Sequence, residues 1–415
     1  MPLSVGMPLR YLALSVLMAV PLTAADWPQF LGPTRDGRVA AAEAALPAVF
    51  AREPEVLWRR SAGSGFAGPV VADGRVILFH REGSDMTTEA LDPRTGKMLW
   101  RSVYVTDYVD SFGFDNGPRA VPAVADGRVF THGPEGRVTA LDLATGREIW
   151  AYDTVAKAGS PQGFFGRAPS PLVLGERVWI AAGGELGGRA AGLLALDVRT
   201  GELVAAGVDD EAGYASPVQA GRGRVLAWMR NQLWLVDAAS GGVLASLPLR
   251  SSMDASVNAA SPLACGDERW LISAGYGVGA HLFRIGEEAA LEEVWSRRDV
   301  LDCHYATPVV HEGHLYGFHG RQETGMKLRC VRVADGEVVW EAPDKLPGGT
   351  LQLVRDRLLI VTEQGELWVV PASPAGFDKQ LVVQILRAGH RSHAAFADGV
   401  LYARDSEELV AVPLR

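Results

Sequence analysis

Cysteine is scarce: Cys265, Cys303 and Cys330 are the only three in 415 residues. A disulfide-stapled scaffold is thereby excluded, since three thiols make at most one internal bridge. Cys303 and Cys330 fall in one repeat of the pattern described below, which leaves a pairing between them open. Basic charge is in deficit, with 40 Lys and Arg against 49 Asp and Glu, a formal balance of −9. Such a chain lacks the electrostatic footprint behind most nonspecific nucleic-acid affinity, so neither DNA nor RNA is an expected partner. Beyond the first 25 residues no apolar run is long enough to span a membrane. Disorder is excluded by what is present, because 48% of the residues are hydrophobic and their burial can offset the entropy of ordering the chain.

The amino terminus reads as a targeting segment. Arg10 precedes the apolar run Tyr11–Val20, and Thr23, Ala24 and Ala25 follow. A basic residue, a short apolar stretch and small residues make a secretory signal cleaved after Ala25, since about ten apolar residues cannot cross a ~30 Å hydrocarbon layer. The expected organisation is a signal over residues 1–25, a lead-in over 26–54 and one domain over 55–415. A periplasmic or secreted protein follows, without a lipid anchor, as no cysteine lies near the cleavage site.

Two phrases recur along the chain. One is a proline, an apolar pair, a tight turn and another apolar run: PVVADGRVILF from Pro69, PAVADGRVFTH from Pro122, PLVLGERVWIA from Pro171. Further copies start at Pro217, Pro262, Pro308, Leu351 and Ala394, at spacings of 43 to 53 residues. The second phrase follows the first, as ALDPRTGKMLW from Ala90, ALDLATGREIW from Ala140 and ALDVRTGELVA from Ala195. Apolar alternation around Asp-Gly and Thr-Gly turns is hairpin chemistry, so each repeat predicts four antiparallel strands. Units of this length with four strands are propeller blades. The fold class is therefore all-β: an eight-bladed β-propeller of four-stranded antiparallel blades. The last repeat has three strands, and Glu55–Arg60 supplies an orphan fourth that closes the ring and removes a free sheet edge.

Trp58, Trp100, Trp150, Trp295 and Trp340 each end a fourth strand. Equal spacing at one blade position predicts packing between blades rather than ligand contact. Asp92, Asp142, Asp197 and Asp237 precede the turn between strands three and four and are expected to satisfy turn amides. His311-Glu-Gly-His314 occupies a hairpin turn in the repeat frame and lacks the helical spacing of a zinc pair, so no metal site is expected.

The pattern A-x-D-x-x-T-G-x-x-x-W, met in full by Ala90–Trp100 and Ala140–Trp150, resembles the tryptophan-docking repeat of the quinoprotein dehydrogenase-like, or PQQ-binding-like, β-propellers. Trp27–Gly37 is similar to the start of exported bacterial members of unassigned function. The resemblance implies two branches. Quinoprotein dehydrogenases bind pyrroloquinoline quinone (PQQ) and calcium and oxidise alcohols or sugars. The outer-membrane assembly-factor propeller is a noncatalytic scaffold. This sequence has neither the adjacent cysteine pair of the first nor the lipidated cysteine of the second, and no calcium ligands are carried over.

In a propeller the loops entering the innermost strands ring one channel mouth. Here they carry Asp115, Asn116, Arg119, Phe165, Arg167, Tyr214, Asp254, Asn258, His304, Tyr305, Arg391 and His393. Arginine forks beside aromatic rings suit a small anionic or planar ligand, or a peptide. Arg119, Arg167 and His304 are the expected anchors of an anion. His304, with Asp302 two residues away, is the candidate for acid–base work. The sequence thus predicts an exported, monomeric, noncatalytic module that binds a small molecule, peptide or protein at one mouth and needs no cofactor. The alternatives are a PQQ- and calcium-dependent dehydrogenase and a periplasmic scaffold.

Overall fold

The Asp-Gly pairs of the first phrase set the architecture. Asp73 and Gly74 have φ of 47° and 65°, and Asp126 and Gly127 have 49° and 69°. Two successive positive φ values define the hairpin turn whose twist matches that of paired strands. Glu312-Gly313, inside the His-Glu-Gly-His string, has the same geometry, and His311 pairs with His314 across it. The computed structural model describes residues 26–39, 46, 47, 49–221, 223–389 and 391–414. The signal expected over residues 1–25 lies outside the described residues.

Eight four-stranded antiparallel sheets result. The innermost strands of blades 1 to 8 are Val70–Ala72, Ala123–Ala125, Leu172–Leu174, Val218–Gln219, Leu263–Ala264, Val309–His311, Gly349–Val354 and Ala395–Ala397. The innermost strands of blades 1 and 2, 2 and 3, 3 and 4, and 6 and 7 touch, and that of blade 8 touches that of blade 1, which closes the ring. The closing strand is Trp58–Ser61, paired with Glu408–Pro413 in the register Trp58 to Ala411. One short helix, Thr154–Ala158, follows blade 2.

Burial falls from the axis outward. In blade 1 the second and third strands, Arg75–Glu82 and Asp85–Leu91, are almost wholly buried, whereas the fourth, Met98–Val105, alternates. Buried apolar residues form clusters shared by adjoining blades, such as Phe130, Trp150, Val178 and Leu194 between blades 2 and 3. Each fourth-strand tryptophan crosses to the next blade. Trp58 Nε1 donates to Pro93 O at 2.9 Å, Trp100 to Leu143 O at 2.9 Å and Trp150 to Val198 O at 3.1 Å. Trp295 and Trp340 do the same to Val333 O at 2.9 Å and Ser373 O at 2.8 Å. The glycine of the next Thr-Gly turn lies under the ring: a Cβ on Gly96 would come within 2.8 Å of Trp58. The aspartates before these turns accept turn amides, as Asp92 does from Thr95 N at 2.8 Å.

A belt of hydroxyls links the inner loops. Val121 N donates to Ser170 Oγ, Ser170 N to Ser216 Oγ, Ser216 N to Ser261 Oγ and Ser261 N to Thr307 Oγ1, each at 2.8 to 2.9 Å. These Ser and Thr hydroxyls precede the prolines of the repeat, and they fix the loops that carry the mouth. The three cysteines are buried thiols, with no disulfide among the described residues.

Candidate functional site

Strand direction decides which connections share the mouth. The loops from each fourth strand to the next blade open on one face, and so do the turns between strands two and three. Together they surround a cavity of about 550 Å³ at the axis, within the ordinary range of ligand pockets.

One wall is aromatic. Phe112 and Phe114 come from the loop between blades 1 and 2, Phe164 and Phe165 from the next, and Tyr214 from the third. Phe165 lies 5.2 Å from Phe112 and 5.7 Å from Tyr214, centroid to centroid. Asp110 holds the first loop, accepting from Phe112 N at 3.0 Å, Phe114 N at 3.2 Å and Asp115 N at 3.1 Å. Arg119 bonds the same carboxylate at 2.9 Å and lies between the rings of Phe66 and Phe165. Burial pushes the Asp110 carboxyl up, but these amides and the guanidinium outweigh it and hold it below its ordinary value. Tyr214 Oη accepts from Phe164 N at 2.7 Å and Phe165 N at 3.1 Å, fixing the second loop.

The opposite wall is polar. His304 Nδ1 lies 2.6 Å from Gln322 Oε1, and Nε2 lies 2.9 Å from Tyr276 Oη. The amide oxygen can only accept, so Nδ1 carries the proton and Nε2 accepts from the phenol. Burial drives the imidazole below its ordinary pKa. Arg321 stacks over Tyr276 and pairs with Glu323 at 3.2 Å. Arg391 pairs with Glu363 at 3.3 Å, and Tyr305 donates to that carboxylate at 2.8 Å. Tyr276 adopts φ of 60°, a strained conformation for a bulky residue and one that clusters at sites where side chains are aimed.

Of the residues read from the sequence, Arg119, Phe165, Tyr214, His304, Tyr305, Arg391 and His393 line this cavity. The others do not. Arg167 is buried and spends its guanidinium on Ser160 and on Pro134 O, so the expected anion anchor of Arg119, Arg167 and His304 is not assembled. Asp115 accepts from Gly65 N and Gly117 N, and Asn116 accepts from Asp110 N; both hold loop backbone. Asn258 donates to Met229 O from a buried position, and Asp254 is fully exposed beside Arg250. Asp302 lies outside the cavity, its amide bonded to His319 at 3.1 Å, and His304 takes its partners elsewhere. His390, in the same loop as Arg391 and His393, lies outside the described residues. Phe30, Phe66, Tyr276, Arg321, Gln322 and Glu323 line the cavity without having been singled out. Tyr276 and the Arg321–Glu323 run sit in turns between strands two and three, a position the repeat frame places on the same face.

The family resemblance raises PQQ and calcium. Calcium takes roughly six to eight oxygen ligands, carboxylates prominent among them. Among the described residues the one carboxylate lining the cavity is Glu323, and it is bonded to Arg321 and Gln322. That donor set does not fit a calcium-bound quinone. A second cluster, His80, Glu82 and Glu89, brings ligand-type atoms within 4.8 Å of one another in blade 1. There His80 accepts from Gly63 N at 2.7 Å and bonds Glu89 at 2.7 Å, while Glu89 also pairs with Arg60. Both imidazole nitrogens are used, and the cluster ties the closing strand to blade 1.

Comparison with known proteins gives the lineage. The sequence model of the family described as outer membrane protein assembly factor BamB matches residues 28–244 and 84–373. The quinohemoprotein alcohol dehydrogenase of Comamonas testosteroni is 33% identical over 147 residues, 33% of this chain and 18% of that protein. The outer membrane protein assembly factor BamB of Yersinia pestis is 32% identical over 113 residues, 27% of either chain. The chain thus spans under a third of the length of these curated relatives. Among solved structures, BamB from Moraxella catarrhalis superposes with a TM-score of 0.64 over 87% of this chain and 97% of that one; 14% identity makes this a likeness of fold. Repeat, ring and family match agree, and the chain belongs to the PQQ-like β-propeller family whose sequence model is described as outer membrane protein assembly factor BamB.

Proposed function

We propose that this protein is an exported, noncatalytic binding module whose ligand enters the cavity at one channel mouth. The observation that carries this reading is a cavity of about 550 Å³ with a wall of phenylalanines held in place by Asp110 and Tyr214. Both nitrogens of His304 are hydrogen-bonded, and the hydroxyl oxygens of Ser170 and Ser216 already accept amides. A nucleophile needs a base within hydrogen-bond reach; the phenols of Tyr276 and Tyr305 do reach His304 and the Glu363 carboxylate, but burial raises both phenols and holds them protonated. Export rests on the apolar run Tyr11–Val20 and the small residues after it; among the described residues no helix is long and apolar enough to cross a membrane.

A protein partner is the second reading, favoured by exposed Val109, Phe112 and Phe114 at the rim, since clustered exposed apolar groups mark interaction sites. The test is a fluorescence titration with the neutral probe N-phenyl-1-naphthylamine. One-to-one binding to the wild type, weakened in Phe112→Ser/Phe165→Ser, supports a ligand site. Absence of binding to the wild type refutes it.

A further inference from the structure

The floor of the cavity is made by the chain that precedes the first blade. Asp26 sits on the far face beside the Asp73–Gly74 turn, accepting from Asp73 N at 3.3 Å, and Trp27 pairs with Val71 of blade 1. Val39 is back at that face, where its amide donates to Leu353 O of blade 7 at 2.9 Å. Between these ends the segment rises into the channel and reverses, with positive φ at Leu31, Gly32, Arg35 and Gly37. Val124 N donates to Pro28 O at 2.7 Å and Arg35 Nη1 donates to Pro171 O at 2.8 Å, so blades 2 and 3 grip it as well. Leu31 and Arg35 are buried. At the top Phe30 faces the cavity and meets His393 edge-on at 4.8 Å. The site is blind beneath Phe30, which suits a compact group or a chain end and not a threaded polymer.

Charge at the cavity is matched. Arg119, Arg321 and Arg391 are paired with Asp110, Glu323 and Glu363. Arg35 lies below the Phe30 ring, outside the cavity, its guanidinium directed to the carbonyls of Pro171 and Ser170 and to Gln29 Oε1. The surface left for recognition is the aromatic one.

The geometry points to a blind socket for the aromatic end of a small molecule, seated on Phe30 and held by ring packing instead of charge. This rests on the ligand-binding reading above and adds to it the seat and the ligand class. The test uses the full chain and two probes that share one ring skeleton, N-phenyl-1-naphthylamine and its sulfonated counterpart 8-anilinonaphthalene-1-sulfonate. Both are expected to bind one-to-one with dissociation constants within about threefold, and neither should weaken as salt rises from about 0.05 to about 1 M. Phe30→Trp, which fills the floor, is expected to weaken both by about tenfold, a loss of about 1.4 kcal/mol. Phe30→Leu, which keeps the fill and removes the ring, should weaken them less, and it carries the test should the tryptophan variant fail to fold. A sulfonated probe more than about tenfold tighter and weakened by salt would overturn recognition by the ring. Unchanged affinity in folded Phe30 variants would overturn the seat. Failure of both probes to bind the wild type would bring down the ligand-binding reading itself.

Discussion

The wall built by the loops of blades 1 to 4 and the wall built by blades 5 to 8 are held in different ways. On the first, the phenylalanines hang from backbone that is anchored at two points, the buried Asp110 carboxylate and the half-buried Tyr214 phenol. Asp110 has no exposed side-chain surface. On the second, the Arg321–Glu323 pair is wet: its side chains are 37% and 53% exposed. Buried, fully bonded anchors fix shape, whereas exposed ion pairs rearrange at little cost. The aromatic wall is therefore a preformed surface, and the polar wall an adjustable one.

Mutations that strike each wall sharpen the contrast. The largest expected effect is Asp110→Ala, which leaves Arg119 mostly buried without its carboxylate partner and three amides without an acceptor. It should cost about 3–5 kcal/mol in urea denaturation and abolish probe binding. Tyr214→Phe removes one acceptor from two amides and is expected to cost about 1–3 kcal/mol. Arg321→Met, on the wet wall, should change stability by no more than about 1 kcal/mol. Equal losses from Asp110→Ala and Arg321→Met would erase the distinction between the walls.

Acid should take the walls apart in sequence. His304 is held below its ordinary pKa by burial, so the fold favours its neutral form. Its contribution is complete above the unfolded value near 6.5 and is lost progressively as pH falls below it. Buried His132 and half-buried His319, both pushed down to about 4, add to the same window. Asp110 is shifted in the same direction but acts in a lower window: its lowered pKa contributes stability that is complete above the ordinary carboxylate range and lost only as pH falls through that range. Denaturation midpoints between pH 7 and pH 4 should thus decline, less steeply in His304→Gln, before the aromatic wall is touched. A flat profile down to about pH 4 contradicts this order.

The ring was legible because its signals repeat. Asp-Gly pairs gave the hairpins, and tryptophans followed by Thr-Gly one repeat later matched a ring lying on a glycine of the next blade. The closing strand was legible from the deficit of one strand at the end. The cavity lining was legible only in part. Arg119 stands three residues before Pro122 and Arg167 four before Pro171; side chains alternate along extended chain, and one guanidinium reaches the mouth while the other is buried below it. Tyr276 and Gln322 escaped because the turns between strands two and three vary in length and carry no recurring phrase. Phe30 was beyond reach, since a segment without periodicity gives no sign that it climbs the channel.

The most direct test sets one residue of each wall against the other in the same titration with N-phenyl-1-naphthylamine. Phe165→Ala should weaken binding by about tenfold or more and Arg321→Met by less than about threefold, differences of about 1.4 and 0.7 kcal/mol. The reverse order, with Arg321 dominant and Phe165 dispensable in a folded protein, would contradict an aromatic site at the channel mouth.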